Sequence, residues 1–314
     1  MVSSLTGLRG RHFLSSTDLS SHQTVEMLQL ATAIKRGERR FDLRGKMLGL
    51  IFRKASTRTR VSFAVAMARL GGQIIDLLPE VTQVGRGEPI ADTARVLSRY
   101  CDALAIRTFG HQELDEYAHW ASIPVINALT DLEHPCQALA DYMTLEEAFG
   151  RLQGLTLAYV GDGNNVAHSL MLAGALLGVN VRVGCPVGFA PEAAVLSRAQ
   201  ELAAGRCEVT VSHDPLAAVR GAHALYTDVW ASMGQEKEQK ERERHFVGFC
   251  LDESLLAEAD PRAIVLHCLP AHRGEEISAG VIEGSASRVF DQAENRLHAQ
   301  QALLAVLLGG LEEP

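Results

Sequence analysis

The chain reads as an α/β protein made of two doubly wound parallel-sheet domains, with a C-terminal helix packing back on the first. Three observations predict this. Short apolar runs alternate with helix-period stretches along nearly the whole sequence. The alternation pauses once, between Gly150 and Gly154, and then starts again. The 314 residues also exceed what one core usually supports, about 250–300 residues. The domains are therefore placed at 1–150, with helix 291–314 added, and at 151–290.

In the first half, strands are expected near 47–52, 73–77, 103–107 and 124–129. Each is an apolar run bounded by polar or Gly residues. Helices are expected near 23–36, 61–70, 90–100, 111–121 and 136–149. The helix at 61–70 is Ala-rich and stops at Gly71-Gly72. In the second half, strands are expected near 155–161, 180–185, 207–211, 224–227 and 263–267. Helices fall near 165–178, 191–204, 214–221 and 252–258, and an apolar-periodic stretch, 291–309, closes the chain. The charged stretch Glu236 to Arg244 reads as a solvated helix or loop.

Composition narrows the function. The net charge of −8 argues against non-specific nucleic-acid binding. Six scattered cysteines without a CxxC pair fit reduced thiols in a cytoplasmic protein, not a disulfide frame or a zinc site. No apolar run approaches the ~20 residues of a membrane span. The N-terminus MVSSLTGLRGRHF has no apolar signal core and is read as mature sequence.

The most telling segment is Ser56-Thr57-Arg58-Thr59-Arg60, between a buried strand and a helix. Free backbone N–H groups and the positive end of the helix dipole meet any ligand there. Three hydroxyls and two guanidiniums are added, with Lys54 just before. This is the design of a phosphate site, and the alternative is a plain helix cap with solvated arginines.

Ligands of doubly wound sheets bind at the carboxyl ends of strands. Those ends carry Arg107, the run Asp131 to Gln137, Asp162-Gly163-Asn164-Asn165, the run Asp228 to Gly234, and Cys268 to Gly274. Polar groups at the same edge of both domains imply one cleft between them. His134 and Gln137 share a helical face and suit a carbonyl or amide. Asp162 to Asn165 resembles a dinucleotide loop lacking a third glycine, and a bare turn explains it as well. His267, Cys268 and His272 match no common zinc spacing.

At these residues the chain resembles the ornithine branch of the aspartate/ornithine carbamoyltransferase family, over nearly its whole length. The family is signalled by Phe52-Arg53-Lys54-Ala55-Ser56-Thr57-Arg58-Thr59-Arg60 and by His134-Pro135-Cys136-Gln137. The ornithine branch is signalled by Asp228-Val229-Trp230-Ala231-Ser232-Met233-Gly234 and His267-Cys268-Leu269-Pro270. Gly87 stands where some members of the family carry a lysine.

The resemblance implies the reaction of carbamoyl phosphate with L-ornithine to give L-citrulline and phosphate. It implies a carbamoyl-phosphate domain followed by an ornithine domain, and a homotrimer or a multiple of trimers. Carbamoyl phosphate would be held by Ser56, Thr57, Arg58, Thr59, Arg107, His134, Gln137, the Cys268 and Leu269 carbonyls and Arg296, with Gln83 reaching in from a neighbouring subunit. Ornithine would be held by Asn165, Asp228, Ser232 and Met233. Arg107, His134, Asp228 and Cys268 would carry the catalysis. No metal or organic cofactor is expected, because the phosphate leaving group already activates the substrate. Rival readings are a sister transferase acting on another amine, a nicotinamide-dependent dehydrogenase, and a non-catalytic binding protein.

Overall fold

A computed structural model describes residues 4–78, 87–231, 242 and 244–310. Gln83, Ser232 and Met233, with most of the charged stretch 236–244, lie outside the described residues. The chain divides into two compact units, 1–140 with 295–314, and 141–294.

The first unit is built on four parallel strands, β1 (Met47–Phe52), β2 (Gln73–Leu77), β3 (Ala103–Arg107) and β4 (Val125–Leu129). Their order is β2-β1-β3-β4. β1 and β3 are almost wholly buried, as central strands of a parallel sheet covered on both faces must be. β2 is an edge strand and is largely exposed. The helices Ser21–Lys35, Arg58–Arg69, Ile90–Leu97 and His111–Trp120 connect or flank these strands. Ser20 starts the first through a capping box with Gln23. One side of the core is a cluster of Ile51, Leu104, Ile106, Leu114, Tyr117 and Val125.

Segment 12–16 adds to the edge of β4. The Phe13 N–H donates to the Val125 carbonyl at 2.9 Å, and the Asn127 N–H to the Phe13 carbonyl at 2.8 Å. The C-terminal helix, Val289–Leu307, enters this unit from Asn295 onward. Its end accepts the Gly10 N–H on the Leu307 carbonyl at 2.9 Å, and Lys35 Nζ donates to Asn295 Oδ1 at 2.7 Å.

The second unit holds five parallel strands, β5 (Thr156–Val160), β6 (Asn180–Gly184), β7 (Val209–Ser212), β8 (Ala224–Thr227) and β9 (Ile264–His267). Their order is β7-β6-β5-β8-β9. Every residue of helix Asn165–Leu177 is buried, which matches its apolar composition all round. The unit begins inside helix Pro135–Phe149, where Tyr142 donates its hydroxyl proton to the Leu170 carbonyl at 2.6 Å.

In each sheet the chain builds outward on one side of its first strand and then crosses to the other. The order reverses between β1 and β3 in the first unit, and between β5 and β8 in the second. The crevice at such a reversal is where open α/β sheets bind ligands, because the flanking loops diverge there.

Candidate active site

The first group of candidate residues lies at the β1/β3 reversal. β1 ends at Phe52 opposite Arg107 of β3, and the Arg53 N–H donates to the Arg107 carbonyl at 2.8 Å. The helix starts at Arg58, earlier than the sequence pattern alone predicts, so Arg58, Thr59 and Arg60 form its first turn. Thr57 makes no side-chain cap. The first N–H groups of this helix thus have no hydroxyl cap from Thr57, as suits an anion-binding start.

The hydroxyls and cations of this segment have different tasks. Thr59 is buried, and its Oγ1 accepts from the Arg296 guanidinium at 3.0 Å. Arg296 also donates to Gln137 Oε1. The C-terminal helix therefore ties the helix that starts at Arg58 to the helix that follows His134. Arg60, which the sequence placed at the same spot as Arg58, is engaged elsewhere: it pairs with Asp76 of β2 and lies over the Phe52 ring at 5.1 Å. Lys54 is likewise committed, with Nζ 2.5 Å from Asp131 Oδ1 and 4.4 Å from the Phe109 ring centre.

His134, Gln137 and Arg296 are all buried. Burial, followed by the charges of Arg296 and Arg107, holds the His134 imidazole well below its ordinary pKa. His134 is thus a neutral ring that can donate one hydrogen bond without carrying charge. The loop before it is clamped by Glu133. The Glu133 carboxylate accepts from Ser15 Oγ at 2.5 Å, Ser16 N at 3.0 Å and Ser16 Oγ at 2.9 Å. Sequence reasoning passed over Glu133, because nothing local relates it to residues 15 and 16.

The second group of candidate residues lies at the β5/β8 reversal. Asn164 caps helix Asn165–Leu177, its Oδ1 accepting from Val166 N at 2.9 Å and Ala167 N at 3.3 Å. Its Nδ2 donates to Asp228 Oδ2 at 3.0 Å. The other Asp228 oxygen accepts from Cys268 Sγ at 3.0 Å. Asp228, at the end of β8, thereby joins Asn164 and Cys268 from the ends of β5 and β9. Asn165, the first residue of that helix, is buried. In the sequence Asn164 stood only as part of a loop or bare turn, and its hold on Asp228 was not legible, since that contact spans 64 positions.

Burial and the neighbouring Asp228 push the Cys268 thiol well above its ordinary pKa, and Asp141 adds to the effect. Cys268 is therefore a neutral hydrogen-bond donor and not a thiolate nucleophile. Gly163 has a local explanation. A Cβ there would lie 2.3 Å from Pro191 N, so the glycine admits the backbone of the Ala190–Pro191 loop and needs no pyrophosphate to account for it. Asp162 next to it is paired with Arg242 at 2.6 Å.

Two groups of ligand-type side chains converge among the described residues. Asp228, His267 and Cys268 form one, and His272, Glu275 and Glu276 the other. In the first, the thiol proton is already donated to Asp228. In the second, the Glu276 oxygen that accepts from His267 also accepts the His272 N–H. Hydrogen bonding accounts for both clusters.

The fold defines a two-unit α/β protein. One unit places Arg58 and Thr59 in the first turn of a helix that follows a central strand, and the other joins a buried carboxylate to a thiol. The chain belongs to the aspartate/ornithine carbamoyltransferase family. The family's carbamoyl-P binding domain matches residues 11–147, and its Asp/Orn binding domain matches residues 153–307. The ornithine carbamoyltransferase of Prochlorococcus marinus is 70% identical over 98% of this chain and 96% of its own length. That of Parasynechococcus marenigrum is 69% identical over 99% and 98%. Among solved structures, the ornithine carbamoyltransferase of Pyrococcus furiosus matches with a TM-score of 0.93 at 49% identity, covering 97% of this chain and 99% of that one. The enzyme from Gloeobacter violaceus matches with a TM-score of 0.88 at 57% identity, covering 96% and 100%.

Proposed function

We infer that this chain transfers the carbamoyl group of carbamoyl phosphate to the side-chain amine of L-ornithine, giving L-citrulline and phosphate. The observation that carries the ornithine reading is Asp228, a buried carboxylate hydrogen-bonded by Asn164 and Cys268. A carboxylate there suits a substrate bearing amines and repels one bearing a side-chain carboxylate, such as aspartate.

Carbamoyl phosphate binds the first unit. Ser56, Thr57, Arg58 and Thr59 hold the phosphate, aided by helix N–H groups and Arg107. Arg296 acts on that side through Thr59 and Gln137. As the neutral amine attacks the carbonyl carbon, negative charge grows on the carbonyl oxygen. His134, Arg107 and the Thr59 hydroxyl donate to it. Gln137 and the Cys268 and Leu269 carbonyls orient the carbamoyl NH2. A C–N bond forms, the C–O bond to phosphorus's ester oxygen breaks, and the departing phosphate takes the amine proton. Asn165 and Asp228 hold ornithine, with Ser232 and Met233 assigned to its α-amino and α-carboxylate ends. Asp228 and the Cys268 thiol orient the attacking amine. Positioning and charge stabilisation account for the rate, and no covalent enzyme intermediate is required.

The working form is a homotrimer or a multiple of trimers in the cytoplasm, with Gln83 completing a neighbour's phosphate site. No helix among the described residues is long and apolar enough to cross a membrane. The deciding experiment is a citrulline assay with purified protein and carbamoyl phosphate, run against ornithine, putrescine, acetylornithine and aspartate. Ornithine should dominate. Preference for another amine would move the chain to a sister activity, and no turnover with any would leave a binding role. Light scattering reads the trimer.

A further inference from the structure

We propose that Glu276 is a positioning residue for carbamoyl transfer: it sets the tautomer of His267, and His267 then holds the Cys268–Leu269 backbone in its working shape. This rests on the reading that those two carbonyls orient the carbamoyl NH2.

Strand β9 ends at His267, and the chain turns at once. Leu269 has φ +58°, in the left-handed region that a residue with a side chain seldom occupies. Something must hold it there. The Leu269 N–H donates to His267 Nδ1 at 2.9 Å. A ring nitrogen that accepts carries no proton, so the imidazole proton sits on Nε2. Nε2 donates to Glu276 Oε1 at 3.0 Å, and both side chains are fully buried.

The same Glu276 oxygen accepts the His272 N–H at 2.6 Å. One carboxylate oxygen therefore ties both ends of the 268–271 turn, the ring at its start and the backbone at its close. Glu276 is itself fixed, because its carbonyl accepts the Leu251 N–H at 2.8 Å. The His267 N–H is held by Gln292 Oε1 at 2.9 Å, which keeps the ring's stem in place. Without Glu276, the Nε2 proton loses its acceptor inside a buried site. The ring then favours a proton on Nδ1, which confronts the Leu269 N–H with a second donor. Leu269 relaxes from its left-handed shape, and its carbonyl and that of Cys268 turn with it. The phosphate-holding residues belong to the other unit and are untouched.

The test compares the full-length protein with Glu276→Ala and Glu276→Gln. Glutamine keeps an oxygen at the Oε1 position, and Oε2 makes no hydrogen bond that its NH2 group would have to replace. Protein with 15N-labelled histidine reports which ring nitrogen of His267 is protonated, the signal being identified by its loss in His267→Gln. Steady-state kinetics give kcat, both KM values and inhibition by inorganic phosphate. In the wild type, Nε2 carries the proton. Glu276→Ala should move it to Nδ1 and lower kcat roughly 10–100-fold, by analogy with the loss of a hydrogen-bond partner that orients a metal-binding histidine. Phosphate inhibition should be unchanged. Glu276→Gln should keep the wild-type tautomer and most of the activity.

A proton on Nδ1 in the wild type would overturn the proposal. So would wild-type kcat in Glu276→Ala, or a Glu276→Gln enzyme as impaired as the alanine variant, which would make the charge and not the acceptor responsible. If the alanine variant does not fold, the wild-type tautomer and the glutamine variant decide alone. Absence of citrulline formation by the wild type sinks the carbamoyl-transfer reading instead, while the tautomer and its response to Glu276→Ala still decide the positioning.

Discussion

The Cys268 thiol donates a hydrogen bond to Asp228 Oδ1 at 3.0 Å, and Asn164 Nδ2 holds the second Asp228 oxygen at 3.0 Å. The carboxylate is thus aimed from both sides by neutral donors. The thiol remains protonated, because burial and Asp228 itself disfavour the thiolate. A protonated thiol committed to a carboxylate is a poor nucleophile, which bears on the orienting role proposed for Cys268.

Cys268→Ser should therefore remain partly active. The serine hydroxyl also donates to Asp228, so the loss is that of a weakened hydrogen bond, roughly 1 kcal/mol, or about fivefold, and should fall mainly on KM for ornithine. A covalent role predicts a collapse of kcat by orders of magnitude, because a hydroxyl is far less nucleophilic than a thiolate. Mass spectrometry of enzyme turning over carbamoyl phosphate without ornithine should find Cys268 unmodified. A carbamoylated Cys268 would refute the orienting role.

Arg58 and Arg60 stand two positions apart but should respond differently. Arg60 is spent on Asp76 and the Phe52 ring. Arg58→Ala should cost roughly 3 kcal/mol or more of transition-state stabilisation, over a hundredfold in kcat/KM for carbamoyl phosphate. Lysine should not restore it, lacking the two-pronged fit to phosphate oxygens. Arg60→Ala should cost clearly less. Equal losses in the two variants would show that the helix start does not discriminate between them.

Glu133→Ala removes the acceptor of Ser15 and Ser16 from a buried position just before His134. The stranded donors should destabilise the protein by about 1–3 kcal/mol, read as a lower urea midpoint. Activity should fall as well, since His134 loses its clamp. Glu133→Gln, which keeps one acceptor oxygen, should lie between. An unchanged midpoint in the alanine variant would remove the clamp from the account.

The buried His134 ring makes folding sensitive to acid. Burial first, then Arg296 and Arg107, depress its pKa in the folded protein, so the unfolded chain takes up a proton near pH 6.5 that the folded chain refuses. Its contribution favours folding above about pH 6.5 and is lost on acidification at about 1.4 kcal/mol per pH unit, until the folded ring itself protonates. Urea unfolding at several pH values should show the wild type losing stability faster than His134→Asn below neutrality. Parallel curves would contradict the depressed pKa.

Much of the fold was legible because its signals are local. An apolar run such as Met47 to Phe52 can only be satisfied between covering layers, and Gly71-Gly72 ends the helix before it without reference to anything distant. The start at Arg58 was harder to read, because Ser and Thr serve equally as caps and as first-turn residues. Roles such as those of Glu133, Asn164 and Glu276 were not legible at all. Their partners are decided by which strand ends lie side by side, and strand order leaves no mark in a single sequence.

By itself the sequence determined the alternation of strands and helices, the two doubly wound sheets, and the chemical kind of each strand-end loop, all properties of residues near one another along the chain. Only the tertiary structure decided that β3 adjoins β1 and that β8 adjoins β5, which brings Arg107 level with Phe52 and Asp228 against Asn164 and Cys268. It alone decided which charges are available and which are already used, Arg60 on Asp76 and Arg296 on Thr59 and Gln137. The reason is physical: a side chain's type follows from its own atoms, but its hydrogen-bond partner and its pKa follow from what the folded chain packs against it.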